Sequence, residues 1–201
     1  MLKLTLLVLL LAGLGLADPI VFTIGGDATG TVDGTAFTDA AFTFTVTTDT
    51  SLIESYGGGG GDLGYETPFV AGAEISIAGF APGTFSDTEQ IFVSNTFSLV
   101  GITDFAAGDL LDGANSAFTT YNLQSSIGPV PLSDLEALGS LDVFPTSLGN
   151  VTLDSATNVY FTAAPPIVTP EPETWALGAA WALFIATAGR RSFRRSRDCR
   201  R

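Results

Sequence analysis

Residues 42–47 read Phe42-Thr43-Phe44-Thr45-Val46-Thr47, with apolar and hydroxyl side chains alternating without a break. Side chains along an extended strand point alternately to its two faces. This period of two therefore places Phe42, Phe44 and Val46 on one face and the threonines on the other. Aromatic and β-branched residues are also those that pack best on a pleated surface. The stretch predicts a half-buried strand of an antiparallel sheet. Working outward, similar short runs recur at Val21–Ile24, Glu74–Ala78, Gln90–Ser94, Thr96–Val100, Val151–Leu153 and Asn158–Thr162. Turn residues separate them: Gly25-Gly26-Asp27 closes the first run, and Asp33-Gly34 stands between Thr31-Val32 and Thr35-Phe37 in the form of a tight hairpin. Short strands, threonine, phenylalanine and frequent glycine point to an all-β fold, an antiparallel β-sandwich spanning 18–164. One helix is expected within it, where Ser133-Asp134-Leu135-Glu136 has the capping-box pattern and Gly139 a stop signal. The run from Tyr56 through five glycines to Asp62 lacks the Lys-Ser/Thr of a phosphate loop and reads as a surface loop.

The charge distribution narrows the chemistry. Of 201 residues, 46% are hydrophobic and 14% charged, with 8 Lys and Arg against 21 Asp and Glu, no His and one Cys. Lys3 is the only basic residue before Arg190, so the body carries acidic side chains and no positive ones. A segment without Lys or Arg cannot neutralise phosphates, which argues against nucleic acid as a partner. Without His or Lys, and with Cys confined to position 199, it cannot assemble Ser-His-Asp, Cys-His or Ser-Lys catalysis, nor a zinc site of His and Cys. No enzyme activity is expected. Carboxylates are the ionisable groups left. They suit Ca²⁺ as hard oxygen donors, and Asp27, Asp33, Asp109 and Asp112, with Asn115, lie in glycine-containing turn regions that are its candidate ligands. None forms the Asp-x-Asp-x-Asp-Gly loop, and no other cofactor is implied.

Both ends carry targeting signals. Met1-Leu2-Lys3, the apolar run to Leu16 and the small residues of Gly15-Leu16-Ala17 form a secretory signal peptide over 1–17. Signal peptidase is expected to cut between Ala17 and Asp18. At the other end, 165–173 is a proline-rich linker ending in Pro170-Glu171-Pro172-Glu173. The uncharged stretch that opens at Trp175 predicts a transmembrane helix over 174–189, whose apolar part covers ~22 Å at 1.5 Å per residue. Arg190, Arg191, Arg194 and Arg195 begin a basic tail, 190–201, that holds this end in the cytoplasm by the positive-inside rule.

The order of these parts, Pro170-Glu171-Pro172, an apolar helix opening with Trp175, then an arginine run, resembles the PEP-CTERM sorting signal. The resemblance covers roughly the last thirty residues. It implies processing by exosortase, a membrane-embedded cysteine transpeptidase-like enzyme of Gram-negative bacteria that make exopolysaccharide. A transient inner-membrane intermediate and a final place at the cell surface or in the extracellular matrix, in contact with exopolysaccharide, are implied with it. The body is then a structural or adhesive domain. The alternatives are a membrane-anchored carbohydrate-binding module or a carboxylate-based hydrolase on the same signal, or a permanent anchor. N-terminal sequencing of the exported protein should begin at Asp18; recovery of a mature product that retains Met1 removes the signal-peptide reading.

Overall fold

The computed structural model describes residues 18–57, 61–106, 108–137 and 143–167. The signal peptide 1–17, the motif Pro170-Glu171-Pro172, Trp175 and the arginine tail lie outside the described residues. Fourteen strands follow in chain order. The first seven are β1 (Pro19–Val32), β2 (Thr35–Asp49), β3 (Glu54–Gly57), β4 (Leu63–Glu66), β5 (Val70–Ala71), β6 (Glu74–Ile77) and β7 (Gly83–Thr84). They are followed by β8 (Thr88–Ser94), β9 (Leu99–Asp104), β10 (Gly108–Ala114), β11 (Ile127–Pro131), β12 (Ser133–Ala137), β13 (Phe144–Thr146) and β14 (Gly149–Ala164). They form two antiparallel sheets. The first has the order β11-β14-β1-β2-β6-β7 with β13 on β14, and the second β12-β10-β9-β8-β4-β3 with β5 on β8. The body is all-β and β-sandwich-like, with one hydrophobic core shared by the two sheets.

The expected alternation holds along β2. Phe42, Phe44 and Val46 are buried, while Thr43, Thr45 and Thr47 stand on the opposite face. The register aligns Phe22 with Val46, and Ile24 with Phe44 on one side and Phe161 on the other, so the inward faces of three strands coincide. Rings then fill the interior. Phe161, fully buried, stacks on Phe22 at 6.1 Å and meets Phe118 edge-on at 5.6 Å. Phe118 belongs to a single 3₁₀ turn, Ser116–Thr120, capped by the Asn115 side chain accepting from Ala117 N. The Asp33-Gly34 hairpin is as expected, with both residues at positive φ (47° and 77°), the conformation a two-residue β1–β2 turn of this twist requires.

Four expectations change. Gly25-Gly26-Asp27 does not end a strand: β1 runs on to Val32 and absorbs the irregularity as a bulge between Gly25 and Asp27. Val151–Leu153 and Asn158–Thr162 are parts of one long strand, β14, because β1 supplies continuous pairing partners. Thr96–Ser98 is a turn, with Ser98 at φ 57°, and the strand begins only at Leu99. The expected helix at Ser133 is strand β12. Its residues pair with β10, Ser133 Oγ donates to the Ala114 carbonyl oxygen rather than capping a helix, and Asp134 takes φ 49°, outside the helical region. Tertiary pairing overrides a local capping signal here.

Residues 18–165 expressed alone should give a β-rich circular dichroism spectrum with no disulfide requirement. Phe161→Ala should lower their unfolding free energy by about 3–5 kcal/mol in urea titration, because several rings lose a partner at once.

Candidate functional site

The first sheet turns a hydroxyl-rich face outward. Thr23, Thr45 and Thr162 are neighbours in register, and the next row holds Gly25, Thr43, Ser76 and Tyr160. Gly25 shapes this row. A Cβ placed on it would lie 2.7 Å from the Tyr160 hydroxyl oxygen and 2.8 Å from Cζ, so the ring lies across a strand that has no side chain there. The β1 bulge then re-aims Asp27. Its register partner is Thr157, and the next residue, Asn158, held at φ 53°, donates its side-chain amide to Asp27 Oδ2 at 2.8 Å. Tyr160, Asp27, Asn158, Thr43 and Ser76 surround an open cavity of about 460 Å³. Its chemistry is a phenol ring, one carboxylate, one amide and the two aliphatic hydroxyls of Thr43 and Ser76.

The second sheet carries the paired carboxylates. Glu54 and Glu66 stand directly opposite on β3 and β4, and both line a smaller cavity of about 240 Å³ with Phe69, Gln90 and Leu52. Burial, and then the charge of Glu54, raise the Glu66 carboxyl above its ordinary range. Nearby, Tyr56 donates to the Val93 carbonyl oxygen at 3.1 Å. Its own ionisation is pushed up to about 12, first by burial and then by Asp62.

A second pair is internal. Glu89 on β8 faces Asp104 on β9 in register, and they are 0% and 1% exposed. Asp104 Oδ1 accepts from Ala106 N at 2.7 Å. With no Lys, Arg or His in the body, a proton is the counter-charge that the chain itself can offer this pair. Burial, then the charge of Asp104 and a side-chain hydrogen bond with it, push Glu89 up to about 8. Neither carboxyl is open to a substrate. The pair was legible in principle: Glu89 is in phase with Ile91 and Val93, and Asp104 with Val100 and Ile102, all inward-facing.

The candidate Ca²⁺ ligands are not brought together. Asp27 lies on the first sheet with Asn158, and Asp33 sits in the β1–β2 turn beside Gly149. Asp109 and Asp112 are on β10 of the second sheet, where Asp109 accepts from Thr103 Oγ1 at 2.5 Å. Asn115 is occupied as a cap and donates to the Pro131 carbonyl oxygen at 2.8 Å. Among the described residues no three His, Cys, Asp or Glu side chains gather as a metal would need. Among them, too, no helix is long and apolar enough to cross a membrane, and the expected span over 174–189 lies outside them.

No family model matches the chain, and neither a curated protein nor a solved structure is significantly similar to it.

The buried pair has a consequence for stability. The folded chain holds the Glu89 proton to about pH 8, whereas the unfolded chain releases it in the ordinary carboxylate range near 4–5. Across that window the unfolded state binds fewer protons. The stabilising contribution is therefore complete at acid pH and is lost as pH rises from about 4.5 through about 8. Urea midpoints measured across that range should fall with pH, and Glu89→Gln should flatten the slope. An unchanged slope in the variant assigns the dependence to other groups.

Proposed function

We propose that this protein is a non-enzymatic, exported component of a bacterial cell surface or exopolysaccharide matrix, delivered by a C-terminal sorting signal that exosortase cleaves. The observation that carries the reading is the ordered end of the chain: Pro170-Glu171-Pro172, an uncharged segment from Trp175 to Gly189, and seven arginines after it. The physical roles of these parts agree. Prolines disfavour helix in the residues before them, leaving an extended segment where a processing enzyme can reach it. The apolar segment, although short, spans where the bilayer thins and the arginines snorkel to the interface. Arginines after it orient the tail inward while the signal peptide sends the body outward.

The body is compatible with this role. Its last strand ends at Ala164, just before Pro165-Pro166, so the fold is complete before the proposed tether begins. A body without positive charge repels polyanions and its own copies, which favours solubility outside the cell. It has no His, Lys or Arg with which to activate a nucleophile, and its deepest carboxylate pair is sealed.

Intact mass spectrometry of the protein from an exosortase-bearing host decides the matter. The mature form should lack Trp175 through Arg201. Glu171→Ala should leave uncleaved precursor in the membrane fraction, because the apolar span is untouched. A wild-type product that keeps Arg201 in that host overturns the sorting reading in favour of a permanent anchor.

A further inference from the structure

The geometry points to a binding site for an uncharged glycan on the outer face of the first sheet, centred on Tyr160, Asp27 and Asn158. A pyranose has an apolar face of ring C–H groups and a rim of hydroxyls. The cavity offers one partner for each. Tyr160, half-buried, supplies ring surface to the cavity, since Gly25 beneath it lets the ring lie along the sheet instead of standing away from it. Asp27 lines the same space and is held by the Asn158 amide at 2.8 Å. A carboxylate has about four acceptor positions, and one amide leaves it able to accept from neighbouring sugar hydroxyls. Thr43 and Ser76 complete the set with hydroxyls that both donate and accept.

Charge selects among glycans. The body has no Lys, Arg or His, and the cavity itself contains a carboxylate, so a uronate, sulfate or phosphate group would meet repulsion with no counter-charge. Neutral sugars carry no such cost. The threonine row Thr23, Thr45 and Thr162 continues beside the cavity, which suits a polymer lying over the sheet rather than a single enclosed sugar. The assignment rests on the matrix reading only for where such a glycan would be met; the site itself stands on the geometry.

The test uses the purified full-length chain in a detergent without a sugar headgroup, since a glycoside detergent would itself compete. Cellohexaose, maltohexaose and mannohexaose are titrated separately and followed by saturation-transfer NMR, with hexagalacturonate as the charged probe. At least one neutral hexasaccharide should bind, with a dissociation constant of about 1 mM or tighter. Tyr160→Ala should weaken it about tenfold or more, as should Asp27→Ala, each removing one of the main contacts. Gly25→Ala guards against loss of fold. Gly25 does not sit at positive φ, so alanine fits its backbone. The added methyl meets the movable end of Tyr160 within 3 Å and the Phe42 carbonyl oxygen at 3.1 Å, so it displaces the ring while leaving Asp27, Asn158, Thr43 and Ser76 in place. It should weaken binding while leaving the urea midpoint close to that of wild type. Glu54→Gln on the other sheet should bind as wild type does. Failure of all three neutral probes at about 10 mM overturns the site. Equal binding by the Gly25, Tyr160 and Asp27 variants also overturns it, and so does equal binding of hexagalacturonate. Processing does not enter this measurement, so its failure leaves the sorting reading to be judged by the mature C-terminus alone.

Discussion

The packing of Phe161 against Phe22, Phe118 and Tyr121 is the contact on which the rest of the body depends. Phe161 is on β14 and Phe22 on β1, two adjacent inner strands of the first sheet, whereas Phe118 and Tyr121 come from the turn that follows β10 of the second. One ring therefore ties two of the three longest strands to the opposite layer. Its partners meet it edge-on as well as stacked, the arrangements that ring quadrupoles favour. Once β1 and β14 are locked in this register, the outward residues of both strands are placed as well. The row that contains Gly25 and Tyr160 is a consequence of where Phe22 and Phe161 must point inward.

A second constraint is electrostatic. From Leu4 to Gly189 the chain has no basic side chain, so every carboxylate must find water, a hydroxyl, an amide, a backbone N–H or a proton. Most find the first four. Asp49 accepts from Ser51 N, Asp109 from Thr103, and Asp27 from Asn158. Glu89 and Asp104 are inside: Asp104 accepts from Ala106 N, and burial together with the Asp104 charge leaves Glu89 its proton. A carboxyl kept neutral by burial is a stability term that moves with pH, located away from both outward faces. The same absence of cations that makes the interior pH-sensitive makes the exterior a poor surface for anions, which is why the glycan proposed for the first sheet is a neutral one.

Strand periodicity made much of the fold legible. Phe42 to Thr47 showed which side faces inward, Asp33-Gly34 showed a hairpin, and Ile75, Ile91 and Val93 were buried as their spacing implies. The misreadings share a cause. Gly25-Gly26-Asp27 and the 154–157 stretch look like breaks because isolated segments of that composition do turn. In the folded chain they lie opposite one another, Asp27 aligned with Thr157, and each supplies the pairing that keeps the other extended. The capping box at Ser133 failed in the same way, since β10 offered a strand edge to pair with. Local patterns report what a segment does alone, and sheets are made of partners distant in sequence.

By itself the sequence determined the all-β class and the absence of positive charge from the body, and it is the source of the sorting proposal, because periodicity, composition and order along the chain are properties a linear string carries. Only the tertiary structure decided which residues share a site. Asp27 and Asn158 are separated by 131 positions and lie 2.8 Å apart, and Gly25 acquires a purpose only when Tyr160 is laid over it. The physical reason is that antiparallel register, set by the aromatic core, brings distant positions face to face, and no spacing within one strand encodes which partner will arrive.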